Sequence, residues 1–277
     1  NPLGGMIRPG DRVLVKPNLV RHYHPYGLDR LSIVTHASIL RALCDYVLLA
    51  AGPDARVTIA DAPLQSCDFD EVVKLSGIDR LLTYYRSRGI EIGLHDLRLV
   101  RAVLEQNSLY GKVLLQTENG GDPRGYTNVD LGRASAHAET GTDPSRYRVT
   151  SYDPAGMARH HGQGKHEYVV ANTLLDAEVV INVPKLKTHQ KAGITAAMKN
   201  FIGINGHKDC LPHHVKGTPE SGGDEYCQDS WAKRTDSWLL DTKERTTSSV
   251  ARKAAAVVHK VLESVHQREG FWAGGWY

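Results

Sequence analysis

Short apolar runs alternate with helical periodicity through the first hundred residues. Arg8-Pro9-Gly10-Asp11 is a turn signal, and Arg12–Lys16 reads as a short strand ended by Pro17-Asn18. Thr35 is placed to cap a helix in which Ile39, Leu40, Leu43, Val47 and Leu48 recur at helical spacing. Gly52-Pro53 stops it, and Arg56–Ala60 forms the next strand, ending at Asp61. A strand, a helix and a second strand in this order predict a parallel sheet. Residues 68–77 and 78–89 read as two short helices, and residues 90–97 as a further strand. Residues 116–165 are irregular, rich in Gly, Asp, Pro and Arg.

Ala177–Val183 has the pattern of a buried strand and ends at Pro184. A basic loop follows, then a helix start over Ala192–Lys199. Residues 205–245 read as loop. Ser248 caps a last helix whose apolar stripe is Val250, Val257, Val258, Val261, Leu262 and Val265. No internal repeat is visible. The expected fold is α/β, a mostly parallel sheet flanked by helices, with long irregular loops over the carboxyl ends of the strands. The expected organisation is a single α/β domain over residues 1–245 and a C-terminal helix with an aromatic tail over 246–277.

Composition narrows the classes. The chain has 277 residues and a formal net charge of +3, enough length to bury a core without disulfides or metal. The mean hydropathy is −0.37, and no apolar run approaches the roughly 20 residues of a membrane span. The start has no charged-then-apolar leader pattern. Charge is too evenly spread for a nucleic-acid arm. Cys44, Cys67, Cys210 and Cys227 lie far apart, which argues against a zinc ribbon or a close-cysteine cluster and fits a reducing cytosol. The expected location is therefore cytoplasmic.

Three predicted strands end in polar residues, at Lys16-Pro17-Asn18, at Asp61-Ala62-Pro63 and at Pro184-Lys185-Leu186-Lys187-Thr188-His189. Parallel sheets bind ligands outside the carboxyl ends of their strands. The segment NVPKLKTHQKAGITAAMKNFIG, residues 182–203, adds Lys191, Thr195, Lys199 and Asn200 around a small-residue helix start, a pattern suited to anions. His160, His161 and His166 form one histidine-rich group, and His207, His213 and His214 another. Neither has the HExxH spacing of a helical metal site. Signatures of a nucleophile elbow and of a phosphate-binding P-loop are absent.

VLVKPNLV, THASILRAL, VTIADAP and VVINVPKLKTHQKAGITAAMKNFIG resemble the domain of unknown function 362 family, over about residues 7 to 215. The subtype resembles one found near cell-surface polysaccharide genes. Its members often run on past a GGWY-like segment, so the natural chain is expected to continue beyond Gly274-Gly275-Trp276-Tyr277. Some members carry ferredoxin-like cysteine motifs, which this sequence lacks. The late motif is also distantly similar to the segment of nickel-pincer lactate racemase that holds a catalytic His and, ten residues on, a Lys joined to the cofactor. His189 and Lys199 have that separation. The racemase's nickel-binding His is matched only approximately by His213 and His214.

Together these readings give an enzyme acting on an anionic small molecule: a sugar acid, a hydroxy acid or a phosphorylated sugar. Isomerase or epimerase chemistry is the expectation. The candidate catalytic residues are His189, Lys199 and Lys187. The candidate anion-binding residues are Lys16, Asn18, Lys185, Thr195 and Asn200. His213, His214 and Asp61 are candidate ligands of a divalent transition metal, the nickel-pincer type being implied by the resemblance alone. The expected partner is the anionic small molecule, with no nucleic acid and no membrane span. A homo-oligomer stays open. The alternative function is a non-catalytic binding protein for an acidic or phosphorylated glycan precursor.

Overall fold

The computed structural model describes residues 1–24, 26–104, 112–116, 120–149, 154–189, 193–246 and 248–268. The chain divides into two compact units. The first comprises residues 1–103, 114–127 and 169–206, and the second comprises residues 104–113, 128–168 and 207–277.

The first unit carries a four-stranded parallel sheet. Its strands are β1 (Arg12–Pro17), β2 (Arg56–Asp61), β3 (Gly93–Asp96) and a fourth strand, Val179–Val183. The spatial order is fourth strand, β1, β2, β3. Lys16 pairs with Asn182, and Val15 with both Ile181 and Ile59. The parallel α/β expectation therefore holds. The chain steps from β1 towards β3 and then returns to the far side of β1. A reversal of strand order of this kind opens a crevice at the carboxyl ends of the strands.

Alternation along the strands builds two apolar layers. Val13, Val15, Val57 and Ile59 join one core with Leu40, Cys44, Val47, Ile78 and Tyr85, while Leu14 and Ala60 join another with Leu97 and Ala171. Fully burying such a side chain contributes about 1.5–3 kcal/mol. The helix α1 (Ala37–Ala51) buries Ala37, Leu40, Cys44, Val47 and Ala51, and Gly52 ends it at φ 72°. Ile39, expected in the apolar stripe, is exposed. The cap also shifts by one residue. His36 accepts from the Ser38 N–H, because Thr35 is engaged elsewhere. The helices α2 (Phe69–Ser76) and α3 (Ile78–Arg86) meet at Gly77, φ 78°. Asp68 caps α2 by accepting from the Glu71 N–H.

The helix expected from Ala192 to Lys199 is reduced to Ala197–Asn200. Gly193–Thr195 instead pairs antiparallel with Lys187–His189. Ile194 and Thr195 are β-branched and favour strand, and Gly193 at φ 70° suits the bend into it.

In the second unit, residues 205–245 are not all loop. Trp231–Arg245 is a helix capped by Ser230, which accepts from the Lys233 N–H. Its period is hidden because polar groups occupy its covered face. Asp241 binds Arg148 and Lys216, and Asp236 binds His259. The last helix spans Ser249–Arg268, and Ser248 accepts from the Ala251 N–H as expected of its cap. Its packing face is Ala255 and Leu262, which meet Ala232 and Leu239. Val250, Val257, Val258 and Val261 face outward, against the expected stripe. No helix among the described residues is long and apolar enough to cross a membrane.

Candidate functional site

The ends of β1, β2 and the fourth strand converge on one hydrogen-bonded group. Lys16, on β1, is completely shielded, and its ammonium lies 2.6 Å from Asp61 Oδ1 at the end of β2. It also donates to the Pro17 carbonyl at 3.0 Å and to Asn200 Oδ1 at 3.3 Å. The second Asp61 oxygen accepts from the Leu19 N–H at 2.7 Å. Both Asp61 oxygens, expected from sequence as candidate metal ligands, are thus engaged by hydrogen bonds.

Asn200, buried at the end of its short helix, ties three segments together. Its Oδ1 accepts from Asn18 Nδ2 at 2.9 Å, and its Nδ2 donates to Asn182 Oδ1 at 2.7 Å and to the Lys16 carbonyl at 3.2 Å. Thr35 closes the other side. Its hydroxyl donates to the Val183 carbonyl and accepts from the Asn18 N–H, both at 2.9 Å. Gly203 abuts the Lys16–Asp61 pair so closely that a Cβ there would overlap the Asp61 carboxylate and stand 2.7 Å from Lys16 Nζ.

Lys187 lies on this frame. Its ammonium donates to Asn18 Oδ1 at 2.5 Å and to the Ile33 carbonyl at 2.7 Å. Burial pushes its pKa down to about 8, against the attraction of Asp61, and the cations Lys199, Arg21 and Lys185 push in the same direction as burial. Strand geometry puts residues two apart on one face, so Lys187 and His189 share a face of their strand. Thr195 stands opposite Lys187, and Gly193, without a side chain, opposite His189. The Thr195 hydroxyl is buried and has no hydrogen-bond partner among the described residues.

The chain matches the family described as Domain of unknown function (DUF362) over residues 13–101 and 94–263. It belongs to the DUF362 family. No curated protein and no solved structure matches it.

In this DUF362 chain, Lys16, Asn18, Asp61, Lys187 and Asn200 are joined by hydrogen bonds. Lys185, Lys199 and Thr195 stand around Lys187. His213 and His214 belong to the second unit. There the His213 N–H donates to the Arg148 carbonyl, and His214 pairs with Arg148 in a two-residue ladder. Among the described residues, no three His, Cys, Asp or Glu side chains gather as a metal-binding group. The other histidine group folds as a hairpin. His161 Nδ1 meets His166 Nδ1 at 3.1 Å, His161 Nε2 meets the Cys210 carbonyl at 2.9 Å, and His160 pairs with Glu167.

Sequence reasoning missed Arg21 as part of the site, and Asn182 and Gly203 entered only as the ends of the dense motif. The polar end of the fourth strand could have flagged Asn182. Arg21 gave no local signal, because burial is what sets it apart from any other arginine.

Proposed function

We propose that this DUF362 chain is an enzyme acting on an anionic small molecule, a sugar acid, hydroxy acid or phosphorylated sugar, by isomerase or epimerase chemistry. One observation carries the reading. Three cations, Arg21, Lys185 and Lys199, act on Lys187 near the carboxyl ends of parallel strands, while Asp61, whose attraction opposes them, is paired with Lys16. Such a gathering of positive charge is complementary to an anion.

The chemistry follows from Lys187 and His189. A lysine with a pKa near neutrality can take a proton from carbon and return it. In its charged form it also stabilises a developing oxyanion. His189, on the same strand face, is the second proton-transfer group. The similarity to the racemase motif and to the polysaccharide-associated subtype points to the same reaction and setting.

The experiment incubates the protein with hydroxy acids, sugar acids and sugar phosphates in deuterated water and follows carbon-bound hydrogen by NMR. Exchange that disappears in Lys187→Met supports the reading. Tight binding of one compound with no exchange in the native protein sinks it in favour of a binding protein. Elemental analysis of protein isolated from its host reports separately on a metal.

A further inference from the structure

Two buried arginines in the first unit have opposite surroundings. Arg98 is fully served: it binds Asp96 at 2.6 Å and donates to the carbonyls of Leu64, Gln65 and Cys67. Arg21 is 4% exposed, yet its Nη1 is shielded with no acceptor among the described residues. The Tyr23 ring lies 5.2 Å from its guanidinium. A guanidinium stays charged and offers five donors in a planar fork. A guanidinium nitrogen left shielded without an acceptor is costly.

Arg21 stands three residues after Asn18, the acceptor of the Lys187 ammonium, and its charge acts on Lys187. The Thr195 hydroxyl, across the ladder from Lys187, is likewise buried and unpartnered. Gln65 adds a third case. It is 2% exposed with both side-chain amide atoms unpartnered, and its neighbour Leu64 donates to the carbonyl of Val20, the residue before Arg21. Three side chains with shielded, unserved polar atoms therefore lie on segments that the hydrogen bonds tie to the cationic group.

We propose that Arg21 and Thr195 form a subsite, beside Lys187, for the phosphoryl group of a phosphate monoester. Arg21 takes two phosphoryl oxygens through its fork, and the Thr195 hydroxyl donates to the third oxygen. A carboxylate has two oxygens and one charge, too few for this donor set. A phosphate monoester brings three terminal oxygens and nearly two charges. The inference rests on the anion-binding reading above and narrows it to phosphorylated substrates.

The test is calorimetric titration of the full chain with methyl phosphate and with acetate at one ionic strength. Methyl phosphate is expected to bind at least about tenfold more tightly than acetate. Arg21→Lys keeps the charge and loses the fork, so it is expected to weaken methyl phosphate about tenfold while changing acetate less than about threefold. Thr195→Val gives a second variant at a hydroxyl with no structural partner, and weaker methyl phosphate binding is expected there too. Equal affinity for the two anions in the native protein overturns the phosphoryl subsite and leaves the anion reading standing. Methyl phosphate binding unchanged in both variants overturns the assignment of these residues. Binding of neither anion overturns the anion reading itself.

Discussion

The Lys16 ammonium and the Asp61 carboxylate form a 2.6 Å ion pair with almost no solvent contact, and Gly203 lies against it. The pair joins the ends of β1 and β2. Removing one member strands the other charge in a shielded place, which costs about 3–5 kcal/mol. Lys16→Met and Asp61→Asn are each expected to lose about that much in urea unfolding. The double variant should lose clearly less than the sum, because neither charge is then left alone. Additive losses would show that the two side chains do not act as a pair.

Gly203 offers a steric test. A Cβ at this position overlaps Asp61 and crowds Lys16, so Gly203→Ala is expected to destabilise by about 1–3 kcal/mol. Gly5, with nothing near its Cβ position, is the control, and Gly5→Ala should stay within about 0.5 kcal/mol. Equal melting temperatures for the two variants would contradict the close approach.

The stability of the first unit should also report on Lys187. Its pKa is about 8 in the fold, below the ordinary lysine value of 10.5. Between those values the unfolded chain holds more protons than the folded one, so stability rises with pH. Relative to Lys187→Met, the native protein should therefore gain stability as pH climbs from 8 to 10.5. Chemical denaturation at stepped pH measures this, and a constant difference across that window would refute the depressed pKa.

The histidine hairpin of the second unit gives an acid-side counterpart. Burial lowers the His161 pKa from 6.5 to about 4, with His137, His166 and His160 adding to the effect and the Cys210 carbonyl opposing it. The folded state keeps this ring neutral while the unfolded chain takes up a proton below pH 6.5. Its contribution is therefore complete above pH 6.5 and is lost as pH falls towards 4. Thermal melts should fall over this range, and less steeply in His161→Gln. Identical slopes would place the acid sensitivity elsewhere, for instance at His137 or His207, which burial also lowers.

Much of this site was visible as residue types at strand ends. Lys16, Asn18, Asp61 and Lys187 follow apolar runs that alternation identifies as strands, and in a parallel sheet those ends share one edge. Asn200 belonged to the dense motif, although its role of tying Asn18 to Asn182 could not be read from it. The helix Trp231–Arg245 escaped notice because ion pairs, not an apolar stripe, hold much of its covered face.

The sequence by itself determined the parallel α/β layout, because strand and helix periods are local properties of the hydrophobic pattern. It also determined that basic and amide side chains crowd the strand ends. Tertiary structure alone decided which charges are compensated. Asp61 turned to Lys16 and Leu19, Arg98 found its carbonyls, and Arg21 Nη1 was shielded with no acceptor among the described residues. Compensation depends on which atoms come within hydrogen-bonding reach after folding, and segments about 180 residues apart, such as those bearing Lys16 and Asn200, meet only then.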